Sequence, residues 1–445
     1  MLELWPFVRT RQAQVTDDFE GARQAYRYTV SFFNQTTRSV RFQRVLGFGG
    51  SGVVTLWSEL DSTGQRVRDF AVKSPSVLDD PSFEAERSWL DTFETAEHFV
   101  QPFWLPENTL DVPSEDAQML MMEYYARYEL HELLVRISES ISNNPTIPDG
   151  ERKMEYIPSR VLWRLFLCRL AYPPPYYDGR PDTYREVIIP DQEPELNIHF
   201  DMHPFNVFIA DPNDSWNDVP EHWLVPRFKL GDFGLTSAWD PNLDDATKIA
   251  VANVGKPGYQ APEQRRRDRM VEENAFGPHT NIWGAGWLMY NSLTLYWTDD
   301  DEWEPQVCPI TMPDRTSKNL NTWAPGLVGH ANLVHERNKR YSVELRTLIA
   351  RCMADEQEDR PSLQELLYII QVNIARGDMA AANAQMQFEA ARQQNPTIQK
   401  PPIDIKRPPP IEDNDLLGRF FQEYLRDPPV REDPYKGYWD QRNSS

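Results

Sequence analysis

Two short segments carry side chains whose types and spacing suit the movement of a phosphoryl group. In Ile198-His199-Phe200-Asp201-Met202-His203-Pro204-Phe205-Asn206-Val207, an Asp able to accept a hydroxyl proton is followed five residues later by an Asn able to hold a metal ion. After one connection, Lys229-Leu230-Gly231-Asp232-Phe233-Gly234 places a second metal-binding carboxylate on a Gly-flanked turn. A base beside the attacking oxygen and two oxygen ligands for a divalent cation are the parts needed to pass a γ-phosphoryl group between oxygens. Any one of these parts alone would be a weak signal.

Upstream, Gly47-Phe48-Gly49-Gly50-Ser51-Gly52-Val53-Val54 has the glycine spacing of a loop that closes over phosphates, where a Cβ would hold the backbone N–H groups away. A dinucleotide-binding loop has similar glycines but opens a helix at its last Gly. Here Val53-Val54-Thr55-Leu56-Trp57 is β-branched and aromatic, which predicts a strand, and Asp61-Ser62-Thr63-Gly64 predicts a hairpin turn into a further strand carrying Lys73.

Together with Ala71-Val72-Lys73, Ala261-Pro262-Glu263 and Asp359-Arg360-Pro361, in that order along the chain, these segments resemble the eukaryotic protein kinase domain over roughly three quarters of the sequence. The resemblance implies an α+β, bilobal kinase fold. A small β-rich N-lobe would span 41–122, a hinge 123–129 and a larger helical C-lobe 130–374, with insertions near 138–158, 172–194 and 210–225. An N-terminal extension, 1–40, would precede it, and a Pro-rich C-terminal tail, 375–445, would follow.

Residue by residue, the resemblance implies ATP as cofactor with Mg²⁺, or Mn²⁺ in its place. Gly47, Gly49 and Gly52 would cover the phosphates, and Lys73, held by Glu86, would bind them. Val54, Ala71 and Phe208 would enclose the adenine, and Met122 would be the gatekeeper before hinge residues Glu123 and Tyr125. Glu129 would meet the ribose. Asn206 and Asp232 would hold the metal, and Asp201 would take the proton of the attacking hydroxyl. His199 and Phe233 would pack with Leu90 in an apolar column. Arg360 would pair with Glu263.

Four positions depart from the family pattern. Phe200 stands in place of the Arg that reads activation-segment phosphate, so phosphorylation of Thr236, Ser237 or Thr247 has no obvious receptor. His203 replaces a Lys that contacts the γ-phosphate. Lys256 replaces a Thr of the substrate shelf and would return an ammonium to that phosphate in exchange. Asn281 replaces a buried Asp, although its carbonyl can still accept from backbone N–H groups. A protein Ser/Thr kinase is the leading reading. A pseudokinase or scaffold, and a small-molecule phosphotransferase suggested by His203-Pro204, are the alternatives. Phe205, where basophilic kinases often carry Glu, puts an Arg-directed consensus in doubt.

Several elements must position these groups. A helix is expected over 82–93, because Glu86, Leu90 and Phe93 fall on one inward face while Glu84 faces elsewhere. Residues 119–125 read as an apolar strand ending in a polar linker, 26–33 as an extra strand, and 160–171 as a helix. Within the tail, Leu416, Leu417, Phe420, Phe421, Tyr424 and Leu425 form one helical stripe, expected to dock on the chain's own kinase domain or in a partner groove.

The 445 residues, 40% hydrophobic and 12% aromatic, can build a large core. Cys168, Cys308 and Cys352 are too few and too scattered for a disulfide framework or a zinc site and predict a reducing compartment, cytoplasmic or nuclear. The first ten residues lack the apolar run of a signal peptide, and no membrane-spanning run is evident. A net charge of −22 argues against nucleic-acid and anionic-membrane partners. A protein substrate is implied, but not which one.

Overall fold

A computed structural model describes residues 18–428 except 37–38, 50–51, 78–80, 95, 106–117, 128, 169–175, 178–185, 188–195, 212–221, 223, 273–274, 297–302, 313–314 and 330–333. Most of the expected insertions at 172–194 and 210–225 lie outside these residues. The described chain forms two compact units that meet in sequence between Ala126 and Arg127.

The N-terminal unit is a four-stranded antiparallel sheet in chain order, β1 (Val40–Gly49), β2 (Gly52–Leu60), β3 (Arg66–Pro75) and β4 (Leu120–Glu123), with helices α1 (Asp18–Thr36) and α2 (Pro81–Thr92). The strand expected over 26–33 is instead part of α1. Tyr, Val and Phe there suggested β structure, but the residues that bury are Ala22, Ala25, Thr29 and Phe33, which recur at helical spacing. They pack on Val45, Val53, Trp57 and Phe70, and Phe33 lies 4.4 Å from Trp57, ring to ring. Thr29 Oγ1 also meets Ser74 Oγ at 2.5 Å.

This sealing of one face decides what the other face is for. Val54 pairs with Lys73 and Ala71 with Met122 across the sheet, so these four side chains share the face opposite the α1 core. Gly52 is required where β2 begins: its φ is 146°, and a Cβ there would lie 2.1 Å from the Ser74 carbonyl oxygen.

The C-terminal unit is mainly helical. After α3 (Leu130–Asn143) and α4 (Ser159–Leu167) come two short strand pairs, β5 (Tyr176–Tyr177) with β6 (Glu186–Val187), and β7 (Asn197–Ile198) with β10 (Ser237–Ala238). Between the latter two, β8 (Val207–Ile209) and β9 (Phe228–Leu230) form a hairpin. The remaining elements are α5 (Asp245–Ala252), α6 (Pro262–Arg265), α7 (Arg267–Met270), α8 (Pro278–Thr294), the hairpin β11 (Gln306–Thr311)–β12 (Ser317–Thr322), α9 (Pro325–Val328), α10 (Val343–Cys352), α11 (Leu363–Gln394) and α12 (Asn414–Tyr424). Helix α8 is almost wholly buried among α4, α10 and α11.

Two expectations change here. Residues 138–143 continue α3, so the irregular stretch starts at 144, not 138. The chain does not turn extended after 374. Helix α11 runs on to Gln394, because the polar segment there is rich in Ala and Gln and contains no Pro. Beyond it, 395–413 returns to the body of the unit. The Glu155 N–H donates to Ile405 O at 2.8 Å, and both Glu412 oxygens accept from the first N–H groups of α4, Ser159 and Arg160, at 2.8 Å each. A carboxylate is well placed at that positive helix end. Leu416, Leu417, Phe420 and Tyr424 of α12 are buried, and the Tyr424 hydroxyl donates to Met154 O. Arg127 and Arg136 donate to the carbonyls of Leu425 and Tyr424 at 2.6 Å each.

One ion pair ties these helices to the segment before them. Arg360 meets Glu263 through two hydrogen bonds of 2.9 and 2.8 Å, with both side chains fully buried. Thr280 Oγ1 donates to Glu263 as well, and Arg360 reaches the carbonyls of Ala354 and His279. Removing one partner strands a buried charge, so Arg360→Ala is expected to lower unfolding stability by about 3–5 kcal/mol. Urea denaturation checks this, and a loss below about 1 kcal/mol would show that the pair is not structural.

Candidate active site

In the C-terminal unit, β8 and β9 bring the two expected metal ligands together. Asn206 immediately precedes β8 and Asp232 follows β9, and the Gly231 N–H donates to Asn206 O at 2.9 Å, joining the two ends of the hairpin. An amide oxygen and a carboxylate are hard donors of the kind Mg²⁺ takes, so the residues fit the ion. Asp232 holds a φ of 63°, an uncommon value for a residue other than Gly.

Asp201 is held from three directions. Its Oδ1 accepts from the Lys256 backbone N–H at 3.2 Å, and its Oδ2 accepts from Asn206 Nδ2 at 3.1 Å and lies 3.3 Å from His203 Nε2. Asn206 Nδ2 also donates to the Asp201 carbonyl at 2.9 Å. Burial opposes ionisation of this carboxyl, yet the hydrogen bond and electrostatic pull of His203, with His199 and Asn206, outweigh it and hold it down to about 2.

The backbone around Asp201 depends on two unusual torsions. Phe200 has a φ of 58° and Gly255 a φ of 83°. A Cβ on Gly255 would lie 2.1 Å from the Phe200 carbonyl oxygen, so only Gly lets the segment before Lys256 approach the loop of Asp201. Phe200 itself packs with Ile198, Trp239, Ala252, Met270 and Phe276 in an apolar cluster, 5.6 Å from Phe276 ring to ring. Asn281 does what its substitution for Asp allows: its Oδ1 accepts from the His199 N–H at 3.2 Å, and its Nδ2 donates to Asn197 O at 2.8 Å.

His203 and Lys256 stand apart in role. The His203 imidazole lies against Asp201, whereas the Lys256 ammonium lies 4.6 Å over the Phe205 ring and 5.9 Å from that of Tyr259. Phe205 in turn stacks on His131 at 4.0 Å. Sequence spacing carried no signal for this stack or for the backbone bond from Lys256 to Asp201. His199 and Phe233 are buried neighbours, their rings 5.6 Å apart. Glu129 and Phe208 form a bridge in this unit, and Glu129 is buried.

In the N-terminal unit, Lys73 Nζ reaches both oxygens of Glu86 at 2.9 and 2.7 Å, with Leu90 of α2 and Phe93 just past its end buried and Glu84 exposed. Gly47 and Gly49 lie at the end of β1, where an added Cβ would meet nothing within 4 Å, and Gly49 faces Gly52. The half-buried Met122 pairs with Ala71. Glu123 donates its N–H to Gln101 O at 3.1 Å and accepts from the Tyr125 hydroxyl.

A family profile described as the protein kinase domain matches residues 195–369, which contain Asp201, Asn206, Asp232, Glu263 and Arg360. Over these residues the chain is similar to the eukaryotic protein kinase superfamily. Kinases similar to it include serine/threonine-protein kinase Nek9 of Xenopus laevis, 22% identical over 55% of this chain and 21% of that protein. Nek2 of Homo sapiens is 29% identical over 38% of this chain and 29% of its own length, and serine/threonine-protein kinase 4 homolog B of Dictyostelium discoideum is 23% identical over 38% and 12%. The chain thus spans less than a third of the length of these relatives. Among its described residues no helix is long and apolar enough to cross a membrane.

The buried histidine two residues before Asp201 sets a pH limit on the fold. Complete burial pushes the His199 imidazole down to about 4, against the pull of Asp201 and Asp232, and its Nδ1 accepts from the Asp201 N–H. The unfolded chain therefore binds this proton at higher pH than the folded one, and stability rises with pH between about 4 and the ordinary His value near 6.5. Acidification across that window is expected to remove up to about 3 kcal/mol through His199. Denaturant titrations at pH 7, 5.5 and 4.5 check this: His199→Gln should flatten the dependence, and an unchanged slope in that variant would refute the assignment.

Proposed function

We propose that the protein is a serine/threonine kinase using ATP and a divalent cation. The observation that carries this reading is the Asp201 carboxylate, ionised and oriented by Lys256 N–H, Asn206 and His203, beside the Asn206–Asp232 hairpin ends. Bound Mg²⁺, or Mn²⁺, would neutralise charge developing on the phosphoryl oxygens. Asn206 Oδ1 and the Asp232 carboxylate would hold it. In the N-terminal unit, Lys73, fixed by Glu86, would bind nucleotide phosphates under Gly47, Gly49 and Gly52, and Val54, Ala71, Met122, Glu123 and Tyr125 would serve the base; in the C-terminal unit, Glu129 would serve the sugar and Phe208 the base. Asp201 would align the substrate hydroxyl and take its proton. The relatives named above, all serine/threonine kinases by name, support an alcohol acceptor.

Two of the departures from the family pattern make contacts in the described chain. Asn281 accepts the His199 N–H, and His203 supports Asp201. Phe200, buried in an apolar cluster, favours an activation segment held by packing and not by phosphate.

Purified protein with γ-labelled ATP and Mg²⁺ or Mn²⁺ is expected to phosphorylate itself or a generic protein substrate. Asp201→Asn should lower transfer by roughly 10²–10⁴-fold while nucleotide affinity stays within about threefold. Wild-type transfer no greater than the Asp201→Asn background, with either metal, would establish a non-catalytic role instead.

A further inference from the structure

Helix α11 has two apolar faces, and only one of them is covered. Leu366, Ile370, Ile374 and Ala381 are buried on the side that packs on α4 and α8, where Gly377 lies against the Arg160 side chain. On the opposite side Tyr368, Val372, Ala375, Met379, Ala382 and Met386 follow at intervals of four and three residues, the spacing that keeps one straight stripe on a helix. Water reaches this stripe. Tyr368, Met379 and Met386 are 68, 61 and 60% exposed, and both alanines are exposed. The segment returning after α11 runs along another side of the helix, where Lys400 donates to Gln385 and lies 5.3 Å over the Phe388 ring.

We infer that the stripe is the interface between two copies of this chain, whose α11 helices pack antiparallel about a two-fold axis. The order of large and small side chains is self-complementary in that sense. With the second helix reversed so that Met379 faces Ala382 of the other copy, Met386 faces Ala375, and the two-fold axis repeats both contacts. Each flexible thioether then fills the space left by a methyl group. A parallel pair would instead set Met against Met and Ala against Ala, and would face Glu389 with the Glu389 of the second copy.

Charge favours the same pairing. A net charge of −22 opposes self-association, yet residues 379–388 carry no ionisable side chain, so the repulsion is kept off the stripe. Reversal also brings Arg376 of one copy within one turn of Glu389 of the other, twice by symmetry. Both groups are at the surface, where Arg376 donates to Glu344 through Nη1 and Glu389 accepts from Gln385. The stripe is about 27 Å long, which is the small end of stable interfaces, so half-association is expected on the order of 10 µM. This inference does not depend on the kinase reading.

Sedimentation equilibrium of the full chain, from about 1 to 100 µM, tests it. The mass is expected to rise from 51.9 kDa towards twice that value. Met379→Glu combined with Met386→Glu should weaken association at least about 30-fold, and should leave the melting temperature within about 2 °C because both side chains are exposed. The native cysteines are buried, so introduced thiols report orientation. Under mild oxidation a mixture of Ala375→Cys and Met386→Cys chains should form a disulfide-linked dimer, whereas Met386→Cys alone should not. A wild-type mass of 51.9 kDa at every concentration would overturn the inference and leave the stripe to a different partner. A dimer that survives the double substitution would move the interface elsewhere, and Met386→Cys chains that link to one another would make it parallel; either result refutes the proposal. If the double variant melts early, the crosslinking result decides.

Discussion

The orientation of one carboxylate links the parts of the C-terminal unit. Asp201 accepts from its own loop through His203 and Asn206 and from the distant segment through Lys256 N–H. That last bond exists only because Gly255 lets two backbones come together, its φ of 83° placing hydrogen where a Cβ would strike the Phe200 carbonyl. The loop of Asp201 and the segment carrying Lys256 therefore cannot rearrange independently. Asn206 extends the same linkage into the β8–β9 hairpin, and so to Asp232.

That segment is anchored on two sides by different physics. On one side Phe200, Trp239 and Phe276 form an apolar cluster with Ile198, Ala252, Met270 and Ala275, a contact that needs no added charge. On the other, the Glu263–Arg360 pair has lost its water and is satisfied by Thr280 and two backbone carbonyls. A buried pair of this kind contributes little net stability over an apolar substitute, but it tolerates no partial loss. Trp283 and Trp287 donate to the carbonyls of Tyr259 and Gly258, so helix α8 braces the turn between these two anchors. The segment beyond α11 does similar service farther away, where Glu412 caps α4 and Tyr424 bonds to Met154.

What the sequence made legible was chemistry whose residue types are forced. Lys73 with Glu86, Asp201 with Asn206, and Glu263 with Arg360 need those side chains at those separations, and each pair is in contact. The helix over 82–93 was legible because its inward face repeats at helical spacing. The segment 26–33 was not, since aromatic and β-branched residues masked a helical recurrence whose buried members include Ala22, Ala25 and Thr29. The length of α11 was hidden by a polar composition that resembles a tail but contains good helix formers. Backbone contacts such as Lys256 N–H to Asp201 leave no mark on side-chain identity. The Lys256 ammonium lies over the Phe205 ring, a contact that residue spacing does not announce.

If Asp201 is oriented by hydrogen bonds and apolar packing alone, the activation segment needs no phosphate to be in place. The decisive measurement is the transfer rate of protein treated with phosphatase and shown by intact mass to be unphosphorylated. A rate within about twofold of the untreated enzyme is expected. A fall of about tenfold or more, restored by rephosphorylation of Thr236, Ser237 or Thr247, would contradict the account.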